Sequence, residues 1–484
     1  MMVCYTSAMT KITTSPKSLA DAPAKYCRII LTEDAPNWHR LVETKDGGLE
    51  YRMGVGKWDD VTQRTFRTLI RSIVQTAKTH QLEYLALQLS NSPFPKLKEF
   101  GDDWVVRTVA ENLVLASYEF THYKTKVKKE KPLQEILVCG GFSTSQKRAF
   151  DEGLTIAQAA NTTRDIANTT AEDMTPHKLA LTTKNIFKGS TVSVRVLDEK
   201  EIQAQKMGLL HAVGKGADDR ERFIILEYWG AGKATKEKKA KKPIVLIGKG
   251  ITYDTGGLNV KPSGSMHEMH LDMSGGAAVI GAIKAAAKLG IKKNIIGLIP
   301  AAENSVSAKS MRAGDIATSL SGLTVEILHT DAEGRLVLAD AMTYAQKHYE
   351  PALMVDIATL TGAALVALGL HASAIMTKDK DLQNTLVKLG EESGDLVWPL
   401  PLWDEYKASL KSSRADISNI ATNFSKWGGC IEGGIFLSHF AGKNIPWVHI
   451  DIAPRMDSIP SDKLAKGATG EPVRLLVQLI KNYS

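Results

Sequence analysis

Four carboxylates in the second half of the chain stand in short segments expected as loops after apolar runs, the first of them glycine-rich. Asp254 lies in Gly248-Lys-Gly-Ile-Thr-Tyr-Asp254-Thr-Gly-Gly257, and Asp272 in Met269-His-Leu-Asp272-Met. Asp331 and Glu333 share His329-Thr-Asp331-Ala-Glu333-Gly-Arg335-Leu. Singly, each has an ordinary explanation: an Asp ahead of a helix is commonly a cap, and first-turn acids suit the helix dipole. Gathered in one cleft, four negative charges are costly unless cations join them. Carboxylate and carbonyl oxygens with a nitrogen donor suit divalent Zn²⁺, Mn²⁺ or Mg²⁺. Lys249, Lys261 and Arg335 lie among the acids, able to polarise a carbonyl or hold a small anion. The dinucleotide fingerprint GxGxxG, the P-loop pattern and the serine elbow GxSxG are all absent. Metal-assisted hydrolysis is therefore favoured over hydride transfer, phosphoryl transfer and acyl-enzyme chemistry.

Such residues converge only if the elements before them share a sheet. Ile244–Ile247, Ile295–Ile299, Leu323–Leu328 and Leu353–Ile357 are short, nearly continuous apolar runs, with helical spacing over Ser274–Leu289 and Arg335–His348. Strands without alternation, separated by helices, predict a mostly parallel sheet covered on both faces. Ligands of such sheets bind outside the carboxyl ends of the strands, where the four acids are expected to meet. The first half mixes strand-like Tyr84–Ser90 and Ile136–Gly141 with amphipathic helices over Thr62–Thr79 and Asp103–Tyr118. Helical spacing from Gln146 to about Ala167 leads into a polar stretch ending at Thr175-Pro176, read as a boundary. The expected organisation is α/β in two domains: an amino-terminal α/β domain (1–150), a linking helix and connection (151–172) and a catalytic domain (173–484).

With 484 residues, 43% of them apolar and 24% charged, the chain has the composition of a globular protein. No uncharged apolar run approaches the roughly 18 residues of a membrane span. Cys4, Cys27, Cys139 and Cys430 are scattered without a CxxC, which fits free thiols in a reducing compartment. Residues 1–20 lack both the arginines of a transit segment and the apolar core of a secretory signal, so a cytoplasmic location is expected. The formal charge of +8 raises nucleic acid as a partner. Its source is local: Lys124–Lys131 holds five lysines and one glutamate, Lys233–Lys242 six lysines and one glutamate, and the remainder is nearly neutral. Such runs are usually solvated loops.

The quoted segments resemble the leucyl aminopeptidase family of dinuclear-metal, hexameric cytosolic aminopeptidases. Seven of eight positions of its signature Asn-Thr-Asp-Ala-Glu-Gly-Arg-Leu recur at 329–336, and Lys249, Asp254, Lys261 and Asp272 stand at the family's spacing. The likeness runs from about 160 to 484, through Asp356–Ala363, Gly369–Ala374 and Trp447–Ala453, and is weak before 150. It implies two divalent ions per subunit, Zn or Mn, with Mg or Co at the exchangeable site. Lys249, Asp254, Asp272 and Glu333 would hold the tighter ion; Asp254, Asp331 and Glu333 would hold the other. A ligating lysine must be neutral, so metal charge has to depress its pKa. Lys261 would touch the scissile carbonyl, and Arg335 would hold a bicarbonate that shuttles a proton from the activated water. The backbone at Leu360 and Gly362 would orient the substrate, with Met269, Thr359 and Ala453 lining its side-chain pocket. The implied activity is removal of neutral or hydrophobic amino-terminal residues, such as leucine, from short peptides by a homohexamer.

The chain departs from the family pattern at several places. His329 replaces the signature Asn; its ring can add a metal ligand or hold the loop by a hydrogen bond, and the second reading is preferred. His270 stands where a basic residue is usual and Tyr253 where Phe is usual. Pro454 and Arg455 fall near the expected side-chain pocket. The alternatives are a narrower dipeptidase of cysteinylglycine type and, from another class, a DNA-binding accessory role.

Overall fold

The computed structural model describes residues 10–36, 38–45, 47–88, 93–125, 132–233, 240–423 and 427–483. Residues 1–9 of the amino-terminal segment, and 126–131 and 234–239 of the two lysine-rich segments, lie outside the described residues. The chain divides into two compact units, Met1–Asn161 with Ser458–Lys466 and Thr162–Asp457 with Gly467–Ser484. The dividing point falls inside the helix Thr144–Asn168, whose later part occupies the stretch expected as a connection. No helix among the described residues is long and apolar enough to cross a membrane.

In the first unit β1 (Lys11–Ser15), β2 (Cys27–Thr32), β3 (His39–Glu43), β4 (Leu49–Gly54), β5 (Tyr84–Gln88) and β6 (Glu135–Cys139) form one sheet. Its order is β1-β6-β5-β2-β4-β3, with only the β3/β4 pair antiparallel. Helix Gln63–Thr79 starts at a capping box in which Thr62 and Thr65 satisfy each other's backbone N–H. Its buried residues Phe66, Ile70, Ile73, Val74 and Ala77 follow helical spacing and pack with Leu85, Leu113 and Ile136.

The second unit contains β7 (Val192–Leu197), β8 (Arg222–Trp229), β9 (Ile244–Gly248), β10 (Gly250–Asp254), β11 (Asn294–Asn304), β12 (Ile316–Thr318), β13 (Thr324–Glu326), β14 (Leu353–Ala358), β15 (Ser373–Met376), β16 (Val397–Pro399), β17 (Ile417–Ser418) and β18 (Trp447–Asp451). Its central sheet runs β16-β15-β18-β14-β9-β11-β8-β7, with β10 also paired to β11. Pairing is parallel from β18 through β14 and β9 to β11, and antiparallel at β11/β8, β8/β7 and β15/β18. Strands β9 and β14 are buried throughout, as their unbroken apolar runs require. Helix Ser274–Lys288, rich in Ala and Gly, packs on β9, β11 and β14 and is buried almost all round.

Two expectations need correction. The run Leu323–Leu328 is not a strand of the central sheet; only Thr324–Glu326 is extended, in a separate sheet of order β12-β13-β17. Glu326 explains this. Its carboxylate takes bonds from Ser412 Oγ at 2.5 Å and Arg414 Nη1 at 3.2 Å, partners that an apolar two-sided sheet does not offer. The segment after Lys249, expected as a glycine-rich loop, is instead the strand β10, with a register irregularity between Ile251 and Tyr253.

Candidate metal and active site

Lys249 occupies the single position between β9 and β10. Its amide donates to Ile357 O of β14 and its carbonyl accepts from Gly276 N, which fixes the backbone. The side chain is buried, with Nζ 2.8 Å from Asp272 Oδ1, 2.8 Å from Glu333 Oε1 and 2.9 Å from Thr359 O. Asp272 enters from the short 3-10 turn Met269–Met273 ahead of helix Ser274–Lys288. Glu333 immediately precedes helix Gly334–Tyr349, and its side chain makes no capping bond but turns to Lys249. Gly334 leaves room for this stem: a Cβ on it would lie 2.6 Å from Lys249 Cε and 2.7 Å from Nζ, so Lys249 would have to leave its contacts.

Asp254, at the end of β10, is also buried. Its Oδ1 accepts from Gly256 N at 2.9 Å and Asn304 Nδ2 at 2.8 Å, while Oδ2 lies 2.7 Å from Lys261 Nζ. Lys261 Nζ is also 2.5 Å from Asp331 Oδ1. The segments carrying these residues are stitched together: Thr330 N donates to Asn259 Oδ1, Asn259 N to Thr330 Oγ1, and Thr330 Oγ1 to Gly256 O. Lys249, Asp254, Lys261, Asp272, Asp331 and Glu333 thus converge, although Asp331 and Glu333 arrive from the small sheet.

Four carboxylates face two ammonium groups, and the imbalance shows in the titration. Burial and Glu333 push the Asp254 carboxyl up to about 7, and burial with Glu333 and Asp254 pushes Asp272 up to about 8. Burial and Glu333 also raise Asp331. Glu333 goes the other way, because Lys249 and Lys261 outweigh its burial. Burial opposes the charge of Lys249, but Asp272, Glu333 and Asp254 overcome it and hold its pKa above the ordinary lysine value. Asp254, Asp272 and Glu333 each offer an oxygen within 4.8 Å of the others, and Asp272 Oδ2 is buried without a hydrogen-bond partner among the described residues. A surplus of buried negative charge, an orphaned oxygen and an oxygen-rich donor set all fit divalent cations.

The remaining expected residues fall around this cluster. Arg335 is buried, with Nη1 donating to Asn419 O at 2.7 Å and Nε unpartnered among the described residues. Burial holds its pKa below the ordinary value, although Glu432, Glu333 and Asp451 oppose this. Thr359 Oγ1 donates to Asp272 Oδ1 at 2.7 Å, so its side chain braces a carboxylate of the cluster. Leu360 N and Ala453 N both donate to Asp451 Oδ1, at 3.0 and 3.1 Å. Gly362 is exposed at the start of helix Gly362–Leu368, and Met269 is half-buried on the turn bearing Asp272.

His329 Nδ1 accepts from Asp331 N at 3.3 Å, a bond within the loop. His270 is half-buried and Tyr253 reaches Met266 O at 3.4 Å. Arg455 is committed elsewhere, donating to the Glu471 carboxylate and to Leu370 O. Sequence reasoning passed over Asn304, Asn419 and Asp451. Asn304 and Asp451 each end a buried apolar strand on a polar residue, a signal that could have been read; Asn419 carried none.

Comparison with known proteins agrees with this geometry. The family model described as cytosol aminopeptidase family, catalytic domain, matches residues 161–477, and that of the family's N-terminal domain matches 52–127. A probable cytosol aminopeptidase of Paraburkholderia phymatum is 39% identical over 432 residues, covering 88% of this chain and 82% of the relative. One from Haemophilus influenzae is 38% identical over 431 residues, covering 89% and 84%. Among solved structures, the bottromycin maturation enzyme BotP in complex with Mn has a TM-score of 0.83 at 30% identity, covering 98% of this chain and 99% of that one. A mutant of tomato leucine aminopeptidase has a TM-score of 0.85 at 28% identity, covering 98% and 96%.

Proposed function

The chain belongs to the cytosol aminopeptidase family and is a peptidase; from that premise we propose that it is a dinuclear-metal aminopeptidase releasing neutral or hydrophobic residues such as leucine from short peptides. The observation that carries this reading is the buried cluster of Asp254, Asp272 and Glu333 with its orphaned Asp272 oxygen. Lys249, Asp254, Asp272 and Glu333 would hold one ion, and Asp254, Asp331 and Glu333 the other. When bound, such a pair would supply an acidified water as nucleophile, stabilise negative charge on the reacting carbonyl oxygen and anchor a free α-amine. Selection of amino termini follows from that anchor.

The chain's own groups do the rest. Lys249 must release its proton to ligate. Lys261, once Asp254 and Asp331 serve as ligands, is left to donate to the scissile carbonyl oxygen as charge develops there. Arg335, with an unpartnered Nε, is suited to hold a small anion such as bicarbonate beside the site. The backbone at Leu360 and Gly362 would orient the substrate, with Met269, Thr359 and Ala453 lining its side-chain pocket. Manganese is present in the BotP complex, and the oxygen-rich donor set of this chain suits Zn²⁺ or Mn²⁺, with Mg²⁺ or Co²⁺ at the exchangeable site. A homohexamer belongs to the same proposal; exposed Val366, Trp398 and Trp403 are side chains an assembly would cover.

The test is hydrolysis of leucine p-nitroanilide after chelation and again after Zn²⁺, Mn²⁺ or Co²⁺ is restored. Loss of activity followed by recovery is expected. Full activity in chelated protein would overturn the metal reading, and turnover of cysteinylglycine alone would replace it with the narrower dipeptidase.

A further inference from the structure

Asn419 follows β17 directly, and it is wholly buried. Its backbone amide donates to Glu326 O of β13 at 3.0 Å, which extends the pairing of β17 with β13 by one position. Its side chain then turns along the segment that leaves β13. Oδ1 accepts from Leu328 N at 2.8 Å and His329 N at 3.3 Å, while Nδ2 donates to His329 O at 2.7 Å. The same residue's carbonyl oxygen takes the Arg335 guanidinium at 2.7 Å. One residue therefore grips the backbone on which Asp331 and Glu333 stand and also orients the arginine two positions further on.

We propose that Asn419 is a positioning residue of the active site, and that the small sheet exists to present it. The inference rests on the metallo-aminopeptidase reading above. The central sheet holds Lys249 and Asp254 through its own ladder, but it does not reach Asp331, Glu333 or Arg335. Those three stand on or just after the short connection from the three-residue strand β13 to helix Gly334–Tyr349, and Asn419 holds the start of that connection. A planar amide with both an acceptor and a donor matches that segment's alternating N–H and C=O groups. A hydroxyl carries donor and acceptor on one atom and cannot place them on two neighbouring groups as Oδ1 and Nδ2 do, and an aliphatic side chain supplies neither.

The experiment compares Asn419→Ala, Asn419→Asp and, as a control for stability alone, Ser418→Ala. Ser418 is equally buried on β17, and among the described residues its hydroxyl bonds Leu410 O and Ile420 O, neither in the acid-bearing segment. Metal binding is read by competition with a chelating dye, and steady-state kinetics on leucine p-nitroanilide give kcat and KM separately. Both Asn419 variants should weaken metal affinity and lower kcat by about 10–100-fold, the range seen for partners that orient metal ligands, with KM nearly unchanged. Asn419→Asp keeps the volume and both acceptor bonds, so it decides the matter if the alanine variant does not fold.

Wild-type metal affinity and kcat in folded Asn419→Asp would overturn the proposal. Equal losses in Ser418→Ala would do so too, and if neither Asn419 variant folds the residue is structural and the proposal falls. Wild-type protein that neither binds metal nor cleaves the anilide would overturn the metallo-aminopeptidase reading instead.

Discussion

Lys249 and Lys261 present the same ammonium group to one acid cluster, yet in different surroundings. The Lys249 side chain is 3% exposed, and its partners Asp272 and Glu333 are 5% and 2% exposed. Lys261 is 14% exposed, and its partner Asp331 is 25% exposed. The first lysine grows from a position locked between two buried strands; the second hangs on a loop beyond β10. Burial removes competing water and strengthens each electrostatic contact, so an ion held on the Lys249 side should exchange slowly and one on the Lys261 side quickly. The difference also separates their expected duties, one holding and the other meeting substrate.

The largest effect should come from the enclosed side. Lys249→Ala leaves Asp272 and Glu333 facing each other without their cation. We expect kcat to fall by more than about 10³-fold, beyond the roughly 10²–10³ that a single oxyanion donor commands. In chelated protein, where Lys249 keeps its charge, the folded state should also lose roughly 3–5 kcal/mol, as when one partner of a buried pair is removed. Denaturant titration and turnover assays read both. Near-normal values would erase the distinction between the two lysines.

Next comes the half-open side. Lys261→Ala should lower kcat by about 10²–10³ with KM little changed and metal content intact, because the lost contact forms mainly in the transition state. Metal analysis together with kinetics checks this. Metal loss from this variant as severe as from Lys249→Ala would show the two sides to be equivalent.

The smallest effect concerns pH. In chelated protein Asp254 and Asp272 titrate at about 7 and about 8, above the roughly 3.9 of an unfolded aspartate. The folded state thus binds more protons than the unfolded one between about pH 4 and 8, and stability must fall as pH rises through that window. The lysine shifts are upward from a higher starting value and act only above it. Melting temperature measured from pH 5.5 to 8 should decline more steeply in chelated than in metal-restored protein. Asp272→Asn should flatten the chelated profile. Parallel profiles in all three would contradict the surplus negative charge assigned to this site.

Much of the second unit could be read in advance, because its strands are unbroken apolar runs and its charged residues interrupt them conspicuously. Ile244–Ile247 and Leu353–Ile357 became β9 and β14 with nearly those limits. Leu323–Leu328 misled because a six-residue apolar run with one glutamate fits two kinds of sheet, and only the partners of Glu326 decide between them. The acids and lysines of the cluster were visible by type and spacing. The amides that hold them were not: the role of Asn419 depends on a parallel pairing between segments some ninety residues apart, which no local pattern encodes. Asn304 and Asp451 lay between these extremes, since a polar residue ending a buried strand marks the edge where ligands bind.

The close approach at Gly334 has a counterpart at Gly275, where a Cβ would stand 2.1 Å from Ile357 O and 3.1 Å from Lys249 N. Backbone rests on backbone at one point and on a lysine stem at the other, leaving no volume for even a methyl group. In a saturation library selected for activity, these two glycines should tolerate as little variation as the acids themselves. Glutamate and asparagine keep at least one oxygen donor of aspartate, whereas at these positions every amino-acid substitution adds atoms where the backbone or the Lys249 stem already lies. The narrowest sequence constraint in the region would then fall on residues with no reactive atom, and lineages drifting in specificity would change around them.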